Sequence, residues 1–364
     1  MILNLILGLL LNQTDDVKKP VVTRWSFENV ETVLFEGELS FRASGENMNV
    51  KEWGIFTCKA PEFPTQKNVQ TKVLVLNAKT PPVPVRDFSP FMRTVYLNRL
   101  VVKEPINKDL VDVKVSYQAE LIARKLVPAT ADMPVVKVEP LKEQEKNLYL
   151  MEWGDVKFKD KKFQIWMENN KVIRQVGERD LDFARRVFRQ INYKVDFDFT
   201  DKMDRKSTAV SVMMKSDAGG ISNLFVAILR ANKVPARSLW GRMIMSAKEI
   251  EKLKTKEHNQ MSVRCEFFAE DIGWVPADPG SALYSKKNKI DPDICFGIDY
   301  AAFFTQHVDP NIEVHNPLSN KRINIIALQT PAYWITTQAT TIGPIKVTQD
   351  WKVTKREKKI DPVK

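Results

Sequence analysis

KSDAGGISNLFVAILRANKVPAR, residues 215–237, is the stretch whose reading decides the fold. Within it Ile221, Leu224, Phe225, Ile228 and Leu229 recur with the spacing of one helix face, and almost nothing polar interrupts them. The Gly219-Gly220 pair precedes this stripe, and Lys233-Val234-Pro235 stops it, because a proline ring cannot continue the helical hydrogen-bond ladder. Upstream, Leu181, Ala184, Val187, Phe188 and Ile191 mark another helix that begins near Glu178. Downstream the period drops towards two, in strand-like runs at 238–245, 262–268, 273–277 and 296–305. Helices followed by an antiparallel sheet make an α+β domain. A last β-rich piece, 323–353, is expected to complete or cap that sheet.

Towards the N-terminus, residues 21–126 alternate with period two and are rich in Val, Thr, Phe and Tyr, as at 38–44, 69–76, 92–101 and 111–121. The breaks Ala60-Pro61-Glu62-Phe63-Pro64 and Pro81-Pro82-Val83-Pro84 suit turns and protected sheet edges. An antiparallel β-sandwich is the expectation. The predicted organisation is therefore an apolar leader or anchor at 1–20, a sandwich at 21–127, a linker at 128–147, an α+β domain at 148–320 and a β-rich segment with a basic tail at 321–364. The run 2–11 is apolar except for Asn4, of signal-peptide length and too short to span a bilayer, so export is expected, with a cytoplasmic location as the alternative.

Residues 215–237, read with SVRCEFFAEDIGWVPADPG at 262–280, resemble the transglutaminase-like superfamily, whose bacterial members have a papain-like core. The resemblance covers about 178–309, and it implies a transglutaminase-like (papain-like) α+β domain behind the sandwich. In that family a cysteine opens the long helix, a histidine begins the next strand, and an aspartate follows the Gly-Trp-Val-Pro strand. A thiol at a helix N-terminus gains acidity, the imidazole serves as base and then acid, and the carboxylate fixes its tautomer. Carried over residue by residue, the nucleophile position is Ala218, the base position is Ser262, and Asp278 alone is retained. An alanine methyl cannot attack an acyl carbon, and a serine hydroxyl near neutral pH is no general base. The resemblance thus implies the fold without the activity, in a protein that binds or scaffolds. A polypeptide or a cell-wall polymer would occupy the cleft. The alternative is an active transglutaminase-like cysteine protease or acyltransferase, which needs a different native residue at 218 or a shifted alignment.

Residues expected to border such a cleft are Trp240, Trp274, Gly219 and His258. The last lies in a highly charged, loop-like stretch and reads more simply as a solvated side chain. On the strand 262–268, alternation puts Ser262, Arg264 and Glu266 on one face and Val263, Cys265 and Phe267 on the other, so Cys265 should face the core as inert packing. Ser216 and Ser222 flank the vacant nucleophile position without an evident base. Arg237 and Arg242 could bind a carboxylate, but such arginines more often hold a turn or sheet edge. His307 and His315 show no metal pattern.

The 364 residues carry a net charge of +11. That charge is dispersed, and no zinc-finger, RNA-binding or basic-zipper pattern accompanies it, so nucleic acid is not an expected partner. The dense basic stretch 352–358 reads as a solvated tail. Cys58, Cys265 and Cys295 are too few and too scattered for a disulfide framework or a metal site, and no cofactor is expected.

Overall fold

The computed structural model describes residues 24–46, 49–102, 108–130, 133, 137–200, 203–245, 249, 260–338 and 343–359. Six strands come first: Trp25–Glu46 (β1), Val50–Cys58 (β2), Gln66–Val75 (β3), Val83–Arg86 (β4), Thr94–Val101 (β5) and Lys108–Pro128 (β6). Helices Glu143–Leu148 (α1), Lys161–Asn169 (α2) and Asp180–Lys194 (α3) follow, then strand Asp196–Phe197 (β7), helix Ser207–Met213 (α4), strand Lys215–Ser216 (β8) and helix Ala218–Ala231 (α5). Next are strands Ala236–Met243 (β9), Met261–Ala269 (β10) and Gly273–Ala277 (β11), and helix Pro279–Lys287 (α6). The rest is β: Ile298–Asp299 (β12), Phe303–Val308 (β13), Ile312–Asn316 (β14), Lys321–Ile325 (β15), Ala332–Thr337 (β16) and Lys346–Lys358 (β17).

This is an α+β protein whose N-terminal half is two antiparallel sheets. One has the order β12-β6-β1-β17 with β3 also on β6, and the other is β16-β2-β5-β4. Period-two alternation along β1 turns Phe35, Leu39 and Phe41 inward, where they meet Trp53, Ile55, Val113 and Val115 in one core. The third sheet, β11-β10-β9-β13, carries α5 on one face. Ile221, Leu224, Phe225 and Ile228 pack there with Cys265 and Phe267 of β10 and with Phe183 and Phe188 of α3. Twelve consecutive residues of α5, Gly219 to Arg230, are buried, so its apolarity on all sides is what a central helix requires.

Three expectations change. The piece at 323–353 does not complete the sheet beside α5: β16 pairs with β2 and β17 pairs with β1, so the chain returns to the sandwich. The cause is the length of β1, whose second edge would otherwise run unpaired, and Trp351 opposite Leu39 fills the core from that side. The basic stretch 352–358 is accordingly part of β17 and not a tail, with Lys352 on Asp350, Lys355 on Glu357, Arg356 on Glu249 and Lys358 on Glu31. The strand expected at 296–305 is broken at Ala301, which has φ +48°; β12 before it joins β6, and β13 after it joins β9. The run 2–11 and His258 lie outside the described residues.

Candidate functional site

Helix α5 opens on Asp217, whose carboxylate accepts from the Gly220 N–H at 3.0 Å and so caps one of the orphan donors of the first turn. Arg205 holds the same carboxylate at 2.7 Å. Position 220 has no room for a side chain, because a methyl group there would collide with Ser216 Oγ. Ala218 is the first residue of the helix and stands half-exposed in a cleft of about 530 Å³. Its apolar walls are Phe197, Phe199, Trp240, Tyr284 and Ile326, with Met243, Met245 and Met261 between them. Ser262 and Gly219 line the same cleft. The indole of Trp240 lies over Gly219, where a Cβ would stand 3.3 Å from it. Four of the residues read from the sequence as site or wall, Ala218, Gly219, Ser262 and Trp240, are therefore brought together.

Asp278 stands behind the cleft wall, as the cap of the helix whose Gly280 and Ser281 line it. It caps α6, accepting from Ser281 N at 2.8 Å and from Ser281 Oγ at 2.6 Å. Arg264 Nε lies 2.9 Å from its Oδ2 as an ion pair, at an angle that leaves that N–H without a well-directed hydrogen bond. With Glu266 and Asp299 the two groups border a small, water-sized cavity of about 30 Å³ behind the cleft wall. Arg264 also reaches Asp299 at 3.4 Å and stacks over the Phe303 ring. The sequence put Arg264 on the face of Ser262 but gave no sign of this role, since Asp299 arrives from a strand 35 residues away.

Trp274 is likewise not part of the cleft. It lines a separate groove between the sandwich and the α+β half, with Phe63, Phe91 and Tyr149. The Arg237 guanidinium lies 3.9 Å from its ring centroid, and Arg237 is paired with Glu266 at 2.7 Å. Arg242 donates to the Gln329 carbonyl at 2.8 Å, and burial holds it down to about 10. Both arginines thus fasten the sheet.

None of the described thiols is poised for chemistry. Burial pushes Cys58 and Cys295 up to about 12 and raises Cys265 further, and Cys265 donates to the Ser222 carbonyl across the helix–sheet core. Ser222 Oγ donates to the Val263 carbonyl at 3.2 Å and Ser216 Oγ to the Asp217 carbonyl at 3.1 Å, both inside the packing. His307 is fully buried and stacked on Trp240. Its Nε2 accepts from the Leu328 N–H at 3.1 Å, which leaves Nδ1 as the donor to the Asp309 carbonyl. Burial, helped by Arg93, pushes it down to about 3, so it is a neutral structural group. His315 is exposed and bonded to Asn320. Among the described residues no cluster of His, Cys, Asp and Glu could hold a metal.

Residues 170–279, which run from just after α2 to the start of α6, match the Transglutaminase-like superfamily. This chain contains a transglutaminase-like domain. The solved structure of a candidate cysteine protease from Cytophaga hutchinsonii is similar in fold, with a TM-score of 0.54 and 11 % identity, over 93 % of this chain and 94 % of that one. The periplasmic domain of TgpA from Pseudomonas aeruginosa aligns over 69 % of this chain and 90 % of its own, at 11 % identity and a TM-score of 0.31. No curated protein matches the sequence. Ala218 therefore opens the central helix of the transglutaminase-like domain. No described helix is long and apolar enough to cross a membrane.

Proposed function

We propose that the protein is a non-catalytic transglutaminase-like binding protein whose cleft holds an extended polypeptide segment bearing apolar side chains. The observation that carries this reading is Ala218 at the mouth of α5, where the chemistry of the fold needs a nucleophile and only a methyl group is offered. Ser262 beside it supplies a hydroxyl and no base. The walls favour a polypeptide over a cell-wall glycan: aromatic rings and three methionines adapt to varied apolar side chains, whereas a sugar chain needs many free polar partners. Gln329, one of the few amides on the wall, already donates to the Gly241 and Ser262 carbonyls.

The test pairs an assay with a binding measurement on the unaltered chain. Hydrolysis of peptide esters and incorporation of an amine should stay at background, while a panel of extended apolar peptides should include binders. Ala218→Trp should weaken that binding at least tenfold, and added salt should leave it nearly unchanged because the contact is apolar. Robust turnover would overturn the reading. Binding that ignores Ala218→Trp and collapses with salt would instead favour adhesion through the basic surface. Export belongs to the same proposal and rests on the apolar run 2–11; recovery of the intact chain from the cytoplasmic fraction alone would remove it.

A further inference from the structure

We propose that Arg264 acts in this protein as the fixed partner of Asp278, so that the carboxylate beside the cleft is already engaged and a working base cannot be rebuilt by restoring the two missing side chains alone. This rests on reading Ala218, Ser262 and Asp278 as the three positions of an abandoned triad. Strand β10 turns Ser262 and Arg264 to the same face, two residues apart, and the second of them carries the positive charge that meets the carboxylate. A guanidinium remains protonated and accepts no hydrogen bond, so it can neutralise Asp278 but cannot replace an imidazole as a base.

The lock is anchored at both ends. On one side Ser281 donates to both carboxylate oxygens of Asp278 while capping α6. On the other, Arg264 is held by Asp299 and by the face of Phe303. Asp299 sits on β12, in register with Arg124 of β6, and Arg124 reaches Glu266, the next residue on the same face of β10. The residue that once would have oriented a base is thereby wired into the junction with the sandwich. An imidazole introduced at 262 would meet a carboxylate whose charge is already matched and a neighbouring guanidinium that disfavours its protonation.

The experiment uses the full chain. With Ser262→His alone, the introduced imidazole, followed by NMR, should titrate at or below the ordinary value of about 6.5. Adding Arg264→Met should raise it by about one unit or more, as Asp278 becomes free to pair with it. With Ala218→Cys also present, alkylation by iodoacetamide at pH 6 should be at least tenfold faster without Arg264 than with it. An imidazole already raised by a unit while Arg264 is in place would overturn the proposal, as would equal alkylation rates in the two backgrounds. If the chain lacking Arg264 does not fold, the Ser262→His titration decides by itself. Turnover by the unaltered chain would sink the functional reading without touching these titrations.

Discussion

Gly280 lies against Ala218 so closely that a methyl group at 280 would stand 2.5 Å from the Ala218 Cβ and 2.8 Å from its Cα. The first turn of α6 is thus seated on the first residue of α5, and this contact fixes where the mouth of the cleft is. Gly280→Ala should lower stability by about 1–3 kcal/mol, because packed backbone has no room to yield. Ala218→Gly in the same chain should recover part of that loss. A double-mutant cycle on urea midpoints would measure the coupling; strictly additive effects would show that the strain is relieved elsewhere.

A second contact fixes the other end of α5. Arg230 and Asp309 are fully buried and bonded at 2.5 Å, and the remaining oxygen of Asp309 accepts from the Ser238 N–H and Oγ at 2.8 Å each. Asp309→Leu leaves an uncompensated guanidinium in the core and should cost about 3–5 kcal/mol. Replacing both partners, Arg230→Met with Asp309→Leu, should be less damaging than the single change, as read from denaturant unfolding. The opposite order would mean that the arginine's bonds to the Ala236 and Met151 carbonyls matter more than the charge pair.

The helix and the strand at 273–277 are legible in the sequence because their signal is local: an apolar stripe ended by Pro235 in one, a short apolar run bounded by Gly273 in the other. Ala218 and Ser262 could be placed in one cleft because both sit at the ends of such legible elements. What local pattern cannot carry is pairing between distant segments. Nothing in the alternation of 346–358 says that its neighbour is β1, more than 300 residues earlier, and not β13. The same blindness hid Arg264, whose meaning depends on Asp299 arriving from β12, and misplaced Trp274, whose ring is turned by Arg237 and Tyr149 towards a different groove.

All three cysteines are buried and their thiols are raised by that burial, so the thiolate needed for alkylation is scarce in the folded chain at pH 8. Iodoacetamide should leave Cys58, Cys265 and Cys295 unmodified in the native protein and label all three in urea, as read by intact-mass spectrometry. Rapid labelling of any one under native conditions would reveal a reactive thiol that the fold does not provide for, and would send the search for a nucleophile to that residue.

One ring ties stability to pH with a definite sign. His307 is held near 3 when folded and returns to about 6.5 when the chain unfolds. Between those values the unfolded chain binds a proton that the folded one refuses, so the ring's contribution to stability is full above pH 6.5 and is lost as the pH is lowered, with a slope approaching about 1.4 kcal/mol per pH unit. His307→Gln removes the proton and should flatten this slope between pH 6.5 and 5, where ordinary carboxylates are still ionised. The substitution also loses the stack on Trp240, so its stability at pH 8 should be lower than that of the unaltered chain. Urea titrations at pH 8, 6.5 and 5 separate the two effects: the packing loss shifts all three midpoints alike, and only the proton changes their spacing. An unaltered slope in His307→Gln would show that the ring accepts its proton in the folded state, which the Leu328 N–H donated to Nε2 forbids.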